Sequence, residues 1–267
     1  MSSALFSKLF SGRKPALAAA PATAGRLVYA VGDVHGRYDL LEPLMRTIAE
    51  DALESAPQRQ PMLVFLGDYV DRGPDSARVV DLVLDVEGSG AFEICALKGN
   101  HEEALLAFLN DPAFGEVWFD HGGAATLASY GVTPPAGRSD EAAWAAARDA
   151  FAERLPERHR RFYETLELMV TIGDYAFVHA GVRPGVPLER QVEKDLLWIR
   201  GDFLEARPTF DKVIVHGHTP TETPQVLPHR IGLDTGAYAT GVLTAVRLDD
   251  QGQRVLQAAA RRPGAPS

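Results

Sequence analysis

The sequence is poor in cysteine and in long apolar runs. Cys95 is its single cysteine in 267 residues, which excludes a disulfide framework and a cysteine-based zinc ribbon. No apolar run approaches the ~18 residues that a membrane span requires. Cys95 lies inside an apolar segment, and the loop after it has no arginine. We therefore predict a buried thiol and no cysteine nucleophile.

The sequence also lacks an excess of basic residues and several familiar catalytic motifs. Its 27 Lys and Arg against 36 Asp and Glu give a formal charge of -9, which argues against a nucleic-acid partner bound through its backbone. There is no phosphate-binding Gly-Lys-Ser/Thr loop and no serine nucleophile elbow. His101-Glu102 does not begin a zincin motif, because Leu105 stands where the second histidine is needed. An anionic substrate would need local positive charge from metals or arginines.

We predict one domain over residues 26–258, between a mobile N-terminal tail (1–25) and a disordered C-terminal tail (259–267). The apolar stretch at 16–20 is too short for the core of a signal peptide and is interrupted by Pro21. Cytoplasm is the expected location. Apolar residues at helical spacing near the N-terminus leave open a membrane-surface anchor.

The domain begins with three successive β-turn-α units. Apolar segments at 27–31, 62–66 and 92–97 are predicted strands, and helical spacing follows the first two. Such alternation indicates an α/β fold with a parallel start. A helical insertion covers about 103–168, and short strands without clear crossovers then predict a second, mixed sheet. Within the insertion, we interpret Trp118, Phe119, Tyr130 and His121 as loop and packing residues, with a cleft lining as the alternative.

Five predicted strands end in polar side chains next to glycine. These junctions carry Asp33 and His35, Asp68 and Asp71, Asn100 and His101, His179, and His216 and His218. Ligands bind at the carboxyl ends of strands in open α/β sheets, and glycine lets the backbone approach a bound group closely. Carboxylate, amide and imidazole donors suit Mn²⁺, iron and Zn²⁺. Because there are more donors than one metal would use, we predict two metals that share an aspartate.

The same junctions carry the resemblance to a known family. Gly-Asp-Val-His-Gly, Gly-Asp-Tyr-Val-Asp-Arg-Gly, Gly-Asn-His-Glu, His-Ala-Gly and Gly-His-Thr occur in this order and resemble the calcineurin-like metallophosphoesterases. The resemblance covers residues 26–248. Asp71-Arg72 is similar to the serine/threonine phosphoprotein phosphatase branch, with small bacterial and phage members nearest. It implies a β-sandwich of two mixed sheets flanked by helices, with the active site at the C-terminal ends of the strands.

The resemblance also implies a role for each polar residue. Asp33 and His35 would bind the first metal, Asp68 would bridge both, and Asn100, His179 and His218 would hold the second. The expected metal is Mn²⁺, with iron and zinc as alternatives. His101 would protonate the leaving oxygen with Asp71 orienting its ring, Arg72 and Arg200 would bind the phosphoryl oxygens, and His216 would be a neighbour without a metal.

The function expected from this pattern is hydrolysis of phosphoserine or phosphothreonine in a protein or peptide partner, by in-line attack of a metal-bridging hydroxide. The alternative is a symmetrical bis(5'-nucleosyl)-tetraphosphatase that releases two ADP from diadenosine tetraphosphate. The Asp71-Arg72 pair favours the phosphatase. A silent phosphopeptide-binding module has no need of an acid dyad, and a structural zinc domain would use thiolates.

Overall fold

Two mixed five-stranded β-sheets form the framework of the computed structural model, which describes residues 21–55, 57–136, 140–206 and 210–260. The first sheet has, in spatial order, β10 (Gly252–Ala259), β9 (Val242–Asp249), β1 (Val28–Val31), β2 (Met62–Phe65) and β3 (Glu93–Ala96). The second has β4 (Met169–Ile172), β5 (Tyr175–Val178), β6 (Val213–His216), β8 (Arg230–Gly232) and β7 (Gln225–Leu227).

The centre of each sheet is parallel. In the first, β1, β2 and β3 run parallel. In the second, β5, β6 and β8 do. Strands β1, β2, β5 and β6 are buried along their whole length, which explains their continuous apolar sequences. Because parallel strands end at the same edge, the loops that follow them leave each sheet together.

The two sheets pack face to face. Side chains alternate along β1, so that Val28 and Ala30 join a buried cluster with Phe177 and Val215 of the second sheet. Tyr29 and Val31 point the other way, into the larger cluster under the helices. This alternation with a period of two makes β1 the centre of both hydrophobic layers.

Helices cover the outer faces and fill the middle of the chain. They are α1 (Tyr38–Ser55), α2 (Ser76–Ser89), α3 (Asn100–Asn110), α4 (Gly115–Asp120), α5 (Gly123–Ser129), α6 (Glu141–Arg154), α7 (Glu157–Glu164), α8 (Glu193–Trp198), α9 (Gly201–Leu204) and α10 (Ala237–Thr240). Short 3-10 helices occur at Pro112–Phe114 and Leu188–Arg190. Helices α3 to α7 occupy the segment that the sequence predicted as a helical insertion.

The predicted fold class is confirmed: two mixed sheets are packed as a sandwich and flanked by helices. Two strands, β7 and β10, were not predicted from the sequence. The sequence of β10, Gly-Gln-Arg-Val-Leu-Gln-Ala-Ala, lacks alternation, and β10 forms by pairing with all of β9 across a tight hairpin. Both strands depend on pairing with a neighbouring strand rather than on the pattern of their own residues.

The folded domain includes some residues that the sequence placed in the tails. Thr23 is buried, and its backbone N–H donates to Asp250 Oδ1 at 2.7 Å. Residues 1–20 and 261–267, which carry the rest of the predicted tails, lie outside the described residues. Within the described ranges, none of the helices combines the length and the apolar character of a membrane span.

Cys95 provides a test of the packing between the sheets. Its thiol is buried in the layer between them, and burial together with the Glu167 carboxylate raises its pKa to about 12. We expect an aromatic disulfide reagent at pH 8 to leave the folded protein unlabelled and to label one thiol per chain in guanidinium chloride. Rapid labelling without denaturant would show that this layer opens to solvent.

Candidate metal centre

Loops from both sheets meet at one edge of the sandwich, where their polar residues are buried together. Seven side chains there are each at most 5% exposed: Asp33, His35, Asp68, Asn100, His101, His179 and His218. Backbone hydrogen bonds link the loops, since His35 N–H donates to Asp68 O at 2.8 Å and Gly217 N–H donates to His179 O at 2.8 Å. The junction residues predicted from separate strand ends therefore form one cluster.

Asp68 lies at the centre of this cluster. Its Oδ2 is 3.5 Å from His35 Nε2, and its Oδ1 is 3.5 Å from His179 Nε2. Two groups of possible metal ligands share it: one contains His35 and His101, and the other contains His179 and His218, with all ligand atoms of a group within 4.8 Å of one another. The arrangement can hold two cations with one carboxylate between them.

The imidazoles present unprotonated nitrogens to this space. His35 Nδ1 lies 2.9 Å from Val70 O and His179 Nδ1 lies 2.8 Å from Leu66 O. Because a carbonyl only accepts, each Nδ1 carries the hydrogen and each Nε2 keeps its lone pair. In His35 this lone pair faces Arg72 Nη1 at 3.1 Å. Burial lowers the pKa of His35 to about 3 and that of His218 to about 2. Neutral imidazole is the form that binds metals.

The group of possible ligands that contains His179 and His218 has hydrogen-bond acceptors without donors. Asn100 Oδ1 lies 2.9 Å from His179 Nε2, so an oxygen acceptor faces a nitrogen lone pair. His218 Nε2 is buried and lacks a hydrogen-bond partner among the described residues. Such contacts are unfavourable unless a cation or a proton lies between them. The nitrogen and oxygen donors therefore fit a borderline divalent metal, while the geometry does not select one metal over another.

Asp33 is hydrogen-bonded to a residue of the second group and interacts with a further carboxylate, Asp234. Both oxygens of Asp33 accept from the His218 backbone N–H, at 2.9 and 3.2 Å. Burial raises the pKa of Asp33, and the Asp234 and Asp68 carboxylates raise it further. Asp234, at the end of β8 in the same style of junction, was not predicted as a site residue. A divalent cation here would offset the repulsion among these carboxylates.

His101 and Asp71 form a buried dyad between two loops. His101 Nδ1 lies 2.6 Å from Asp71 Oδ2. Burial by itself lowers the pKa of His101, but the Asp68 and Asp71 carboxylates outweigh it and raise this pKa to about 9. The ring is thus able to hold a proton at neutral pH, as a general acid must.

The helical insertion holds Asp71 in place. Trp118 Nε1–H donates to Asp71 Oδ2 at 2.9 Å, and Thr126 Oγ1–H donates to Asp71 Oδ1 at 2.6 Å. Interpreting Trp118 as a packing residue was therefore incomplete, and Thr126 was missed. His121 of the same insertion contacts His101, with ring centroids 6.2 Å apart. The sequence carried no local signal for the two hydrogen bonds to Asp71, because they join residues 47 and 55 positions apart.

Glu102 has a structural role in the site that was not predicted from the sequence. Its Oε2 accepts from the N–H groups of Asp68 and Gly99, both at 2.9 Å, and its Oε1 accepts from Tyr69 N–H at 2.8 Å. Burial and the Asp68 carboxylate raise the pKa of Glu102, whereas these donors favour the anion. Glu102 thus fixes the loops after β2 and β3 against each other.

The two predicted phosphate-binding arginines lie beside different imidazoles. Arg72 Nη1 and Nη2 are each 3.1 Å from a ring nitrogen, His35 Nε2 and His101 Nε2 respectively. Arg200 is exposed and donates to Thr219 Oγ1 at 3.3 Å, next to His218. By contrast, His216 contacts Phe203, with ring centroids 5.0 Å apart. Positive charge is therefore available on both sides of Asp68.

The loops adopt strained backbone conformations at the cluster. Among the described residues, six that are not glycine have positive φ, and five of them belong to the site: His35, Asp68, Asp71, Arg72 and His218. Such conformations cost of order 1–3 kcal/mol each and persist where the surroundings impose them. Close packing adds a demand for glycine, since a Cβ at Gly99 or Gly217 would collide with the carboxylates of Asp68 or Asp33.

Comparison with known proteins relates this geometry to a family. The family model described as calcineurin-like phosphoesterase matches residues 27–241. Among curated relatives, the asymmetrical bis(5'-nucleosyl)-tetraphosphatase PrpE of Bacillus velezensis is 28% identical over 240 residues, which is 82% of this chain and 88% of that protein. The protein of the same name from Oceanobacillus iheyensis is 29% identical over 87% of this chain and 92% of its own length.

Solved structures share the fold at lower sequence identity. One described as a proposed diadenosine tetraphosphatase has a TM-score of 0.60 at 21% identity and covers 89% of this chain and 96% of that one. A serine/threonine phosphatase from Saccharomyces cerevisiae has a TM-score of 0.50 at 17% identity and covers 90% and 82%. At these identities the likeness concerns the fold alone.

The expected protein phosphatase activity is wrong. The curated relatives that cover most of this chain are nucleotide tetraphosphatases, and they favour the alternative substrate class. The physical reason lies in Arg72, whose presence favoured the phosphatase. Its guanidinium contacts His35 and His101, and the phosphoryl group that it is predicted to bind is common to both kinds of substrate.

The close packing at Gly217 provides a test of the cluster. We expect Gly217→Ala to displace the Asp33 carboxylate and to weaken Mn²⁺ binding at least tenfold, as measured by calorimetry. Gly88→Ala is the matched control, because a Cβ at Gly88 meets no atom within 4 Å. It should bind Mn²⁺ like the wild type and gain up to about 1 kcal/mol of stability in its helix. Equal affinity for Mn²⁺ in both variants would show that Asp33 is not part of the metal site.

Proposed function

Because the chain belongs to the calcineurin-like phosphoesterases, we propose that it is a metal-dependent hydrolase that cleaves dinucleoside tetraphosphates. The observation that carries this proposal is the cluster around Asp68, in which two groups of metal ligands share one carboxylate and arginines stand on both sides. Such an arrangement suits a polyphosphate chain, which presents several anionic groups in a row.

The proposed cofactors are two divalent cations, with Mn²⁺ as the first choice for a site of nitrogen and oxygen donors. We assign His35, Asp68 and Asp33 to one cation and Asp68, Asn100, His179 and His218 to the other. When bound, such cations lower the pKa of a coordinated water and neutralise phosphoryl oxygens.

The side chains supply orientation and a proton. Arg72 and Arg200 bind phosphoryl oxygens and orient the bond to be cleaved, for which Arg72 must release the ring nitrogens that it contacts. His101 holds a proton at Nε2 and donates it to the leaving phosphate oxygen. Asp71 keeps the opposite nitrogen, Nδ1, protonated and so fixes the ring. Trp118 and Thr126 hold Asp71 by hydrogen bonds and are positioning residues.

The position of the cut distinguishes two versions of this function. A symmetrical cut gives two ADP from diadenosine tetraphosphate, whereas an asymmetrical cut gives AMP and ATP. The curated relatives are named as asymmetrical enzymes, so we propose the asymmetrical cut. The substrate is the same in both versions, and only its register across the metal centre differs.

Product analysis tests the substrate class directly. Purified protein loaded with Mn²⁺ is given diadenosine tetraphosphate and a phosphothreonine peptide in separate reactions at equal concentration. We expect AMP and ATP from the dinucleotide and no phosphate from the peptide, as resolved by ion-exchange chromatography. Two ADP would move the cut to the centre of the chain. Phosphate from the peptide with an intact dinucleotide would refute the proposal.

The role of His101 is tested by His101→Asn. This substitution removes the proton donor while keeping a polar side chain of smaller size, so kcat should fall about 10²-fold or more. Metal content, measured by plasma emission spectrometry, should stay at the wild-type level. If the variant loses metal in proportion to activity, His101 is a ligand, as its place in the first group of possible ligands allows.

A further inference from the structure

Two exposed aromatic side chains stand next to the metal-ligand cluster. Among the described residues, the exposed large hydrophobic side chains include three aromatics: Phe114, Trp198 and Tyr238. Trp198 and Tyr238 both contact imidazoles of the cluster. Single exposed aromatics are ordinary on protein surfaces. A pair placed at the catalytic groups calls for an explanation that the hydrolytic chemistry does not supply.

Trp198 stands at the second group of ligands. It ends α8, and its ring centroid lies 6.1 Å from that of His218 at an interplanar angle of 81°. Its Nε1–H donates to Glu103 Oε2 at 2.7 Å, which fixes the plane of the indole. The side chain is nevertheless 39% exposed. The ring is thus a fixed apolar surface that remains open to a ligand.

Tyr238 stands at the first group. Its ring centroid lies 5.3 Å from that of His35, and the Arg72 guanidinium lies over the ring at 4.5 Å. The short helix α10 that carries it is tied to α1 by Arg37, whose Nη1 donates to Ala237 O at 2.6 Å. Tyr238 is also 39% exposed. Arg72 covers one face of the ring, so a planar group would stack on the other face, close to an arginine that is proposed to bind phosphate.

The two rings therefore contact different ligand groups, which share one carboxylate. His35 and His218 belong to different ligand groups, and Asp68 is their common member. A dinucleoside polyphosphate has the matching layout, with a chain of phosphates between two flat bases. Aromatic side chains stack on bases of any sequence, because every base has a π-face.

We propose that Trp198 and Tyr238 are stacking surfaces for the two nucleobases, one on each side of the metal centre. This inference rests on the proposed function and names the part of the substrate that each residue recognises. Recognition by stacking predicts tolerance of different bases and discrimination against polyphosphates without a base. Neither residue takes part in bond cleavage, so both belong to substrate specificity.

The test uses equilibrium binding, which does not depend on turnover of the dinucleotide. Mn²⁺-loaded protein is titrated by calorimetry with AMP and with inorganic phosphate, which share the anionic group and differ in the base. We expect wild type to bind AMP at least tenfold more tightly than phosphate. Trp198→Ala or Tyr238→Leu should reduce this ratio, the more affected variant by about tenfold, the range measured for loss of one stacked base.

Conservative and remote variants serve as controls. Trp198→Phe and Tyr238→Phe keep an aromatic face and should retain most of the ratio, although Trp198→Phe loses the bond to Glu103. Phe114→Ala removes an exposed aromatic ring from the 3-10 helix of the insertion and should leave the ratio unchanged.

The outcomes separate this inference from the proposed function. An AMP to phosphate ratio that is unaffected by both Trp198→Ala and Tyr238→Leu would overturn the stacking surfaces, even if the protein cleaves diadenosine tetraphosphate. A ratio that falls as expected in a protein that leaves diadenosine tetraphosphate intact would refute the proposed function and keep the two surfaces as a nucleotide-binding feature.

Discussion

The burial of the Asp68 carboxylate between two sets of imidazoles is the constraint on which the rest of the site depends. A buried carboxylate is stable only with charged or hydrogen-bonding partners on every side. Those partners come from loops of both sheets, so the site exists only when the sandwich is closed. The same demand accounts for the positive φ of Asp68 and His218 and for the glycines that let the loops approach each other. The geometry of the site therefore depends on the correct packing of the whole fold.

The helical insertion also contributes to the geometry of the site. Trp118 and Thr126 satisfy the oxygens of Asp71, which in turn holds His101. A buried carboxylate without these donors would be left with unsatisfied oxygens, at a cost of about 1–3 kcal/mol or more. The insertion therefore stabilises the acid dyad in addition to any contact it makes with substrate. Glu102 has the corresponding task for the loops after β2 and β3.

The motifs predicted the metal chemistry correctly as a class and the substrate wrongly. Both results follow from the part of the substrate with which the motif residues are predicted to interact. The roles proposed for the metal ligands and Arg72 concern a phosphoryl group, which esters and anhydrides both contain. The rest of a substrate lies outside that group and meets other side chains. At this site those are Trp198 and Tyr238, which lie outside the five motifs. Under the stacking proposal, substrate class is recognised by residues that the five motifs do not include.

The sequence by itself determined the parallel strands, the polar residue at each strand end and the set of possible metal ligands. It could do so because strand burial and the residues that follow a strand are local properties, with a period that the chain displays. Only the tertiary structure decided that Trp118 and Thr126 hold Asp71, that Asp234 lies beside Asp33, and that Trp198 and Tyr238 flank the cluster. Only the tertiary structure also showed strands β7 and β10, each of which forms by pairing with a neighbouring strand. The side-chain contacts join segments whose proximity results from the packing of the sheets and the insertion, and no local pattern records that proximity. The two strands form by hairpin pairing with their neighbours, while their own residues show no strand periodicity.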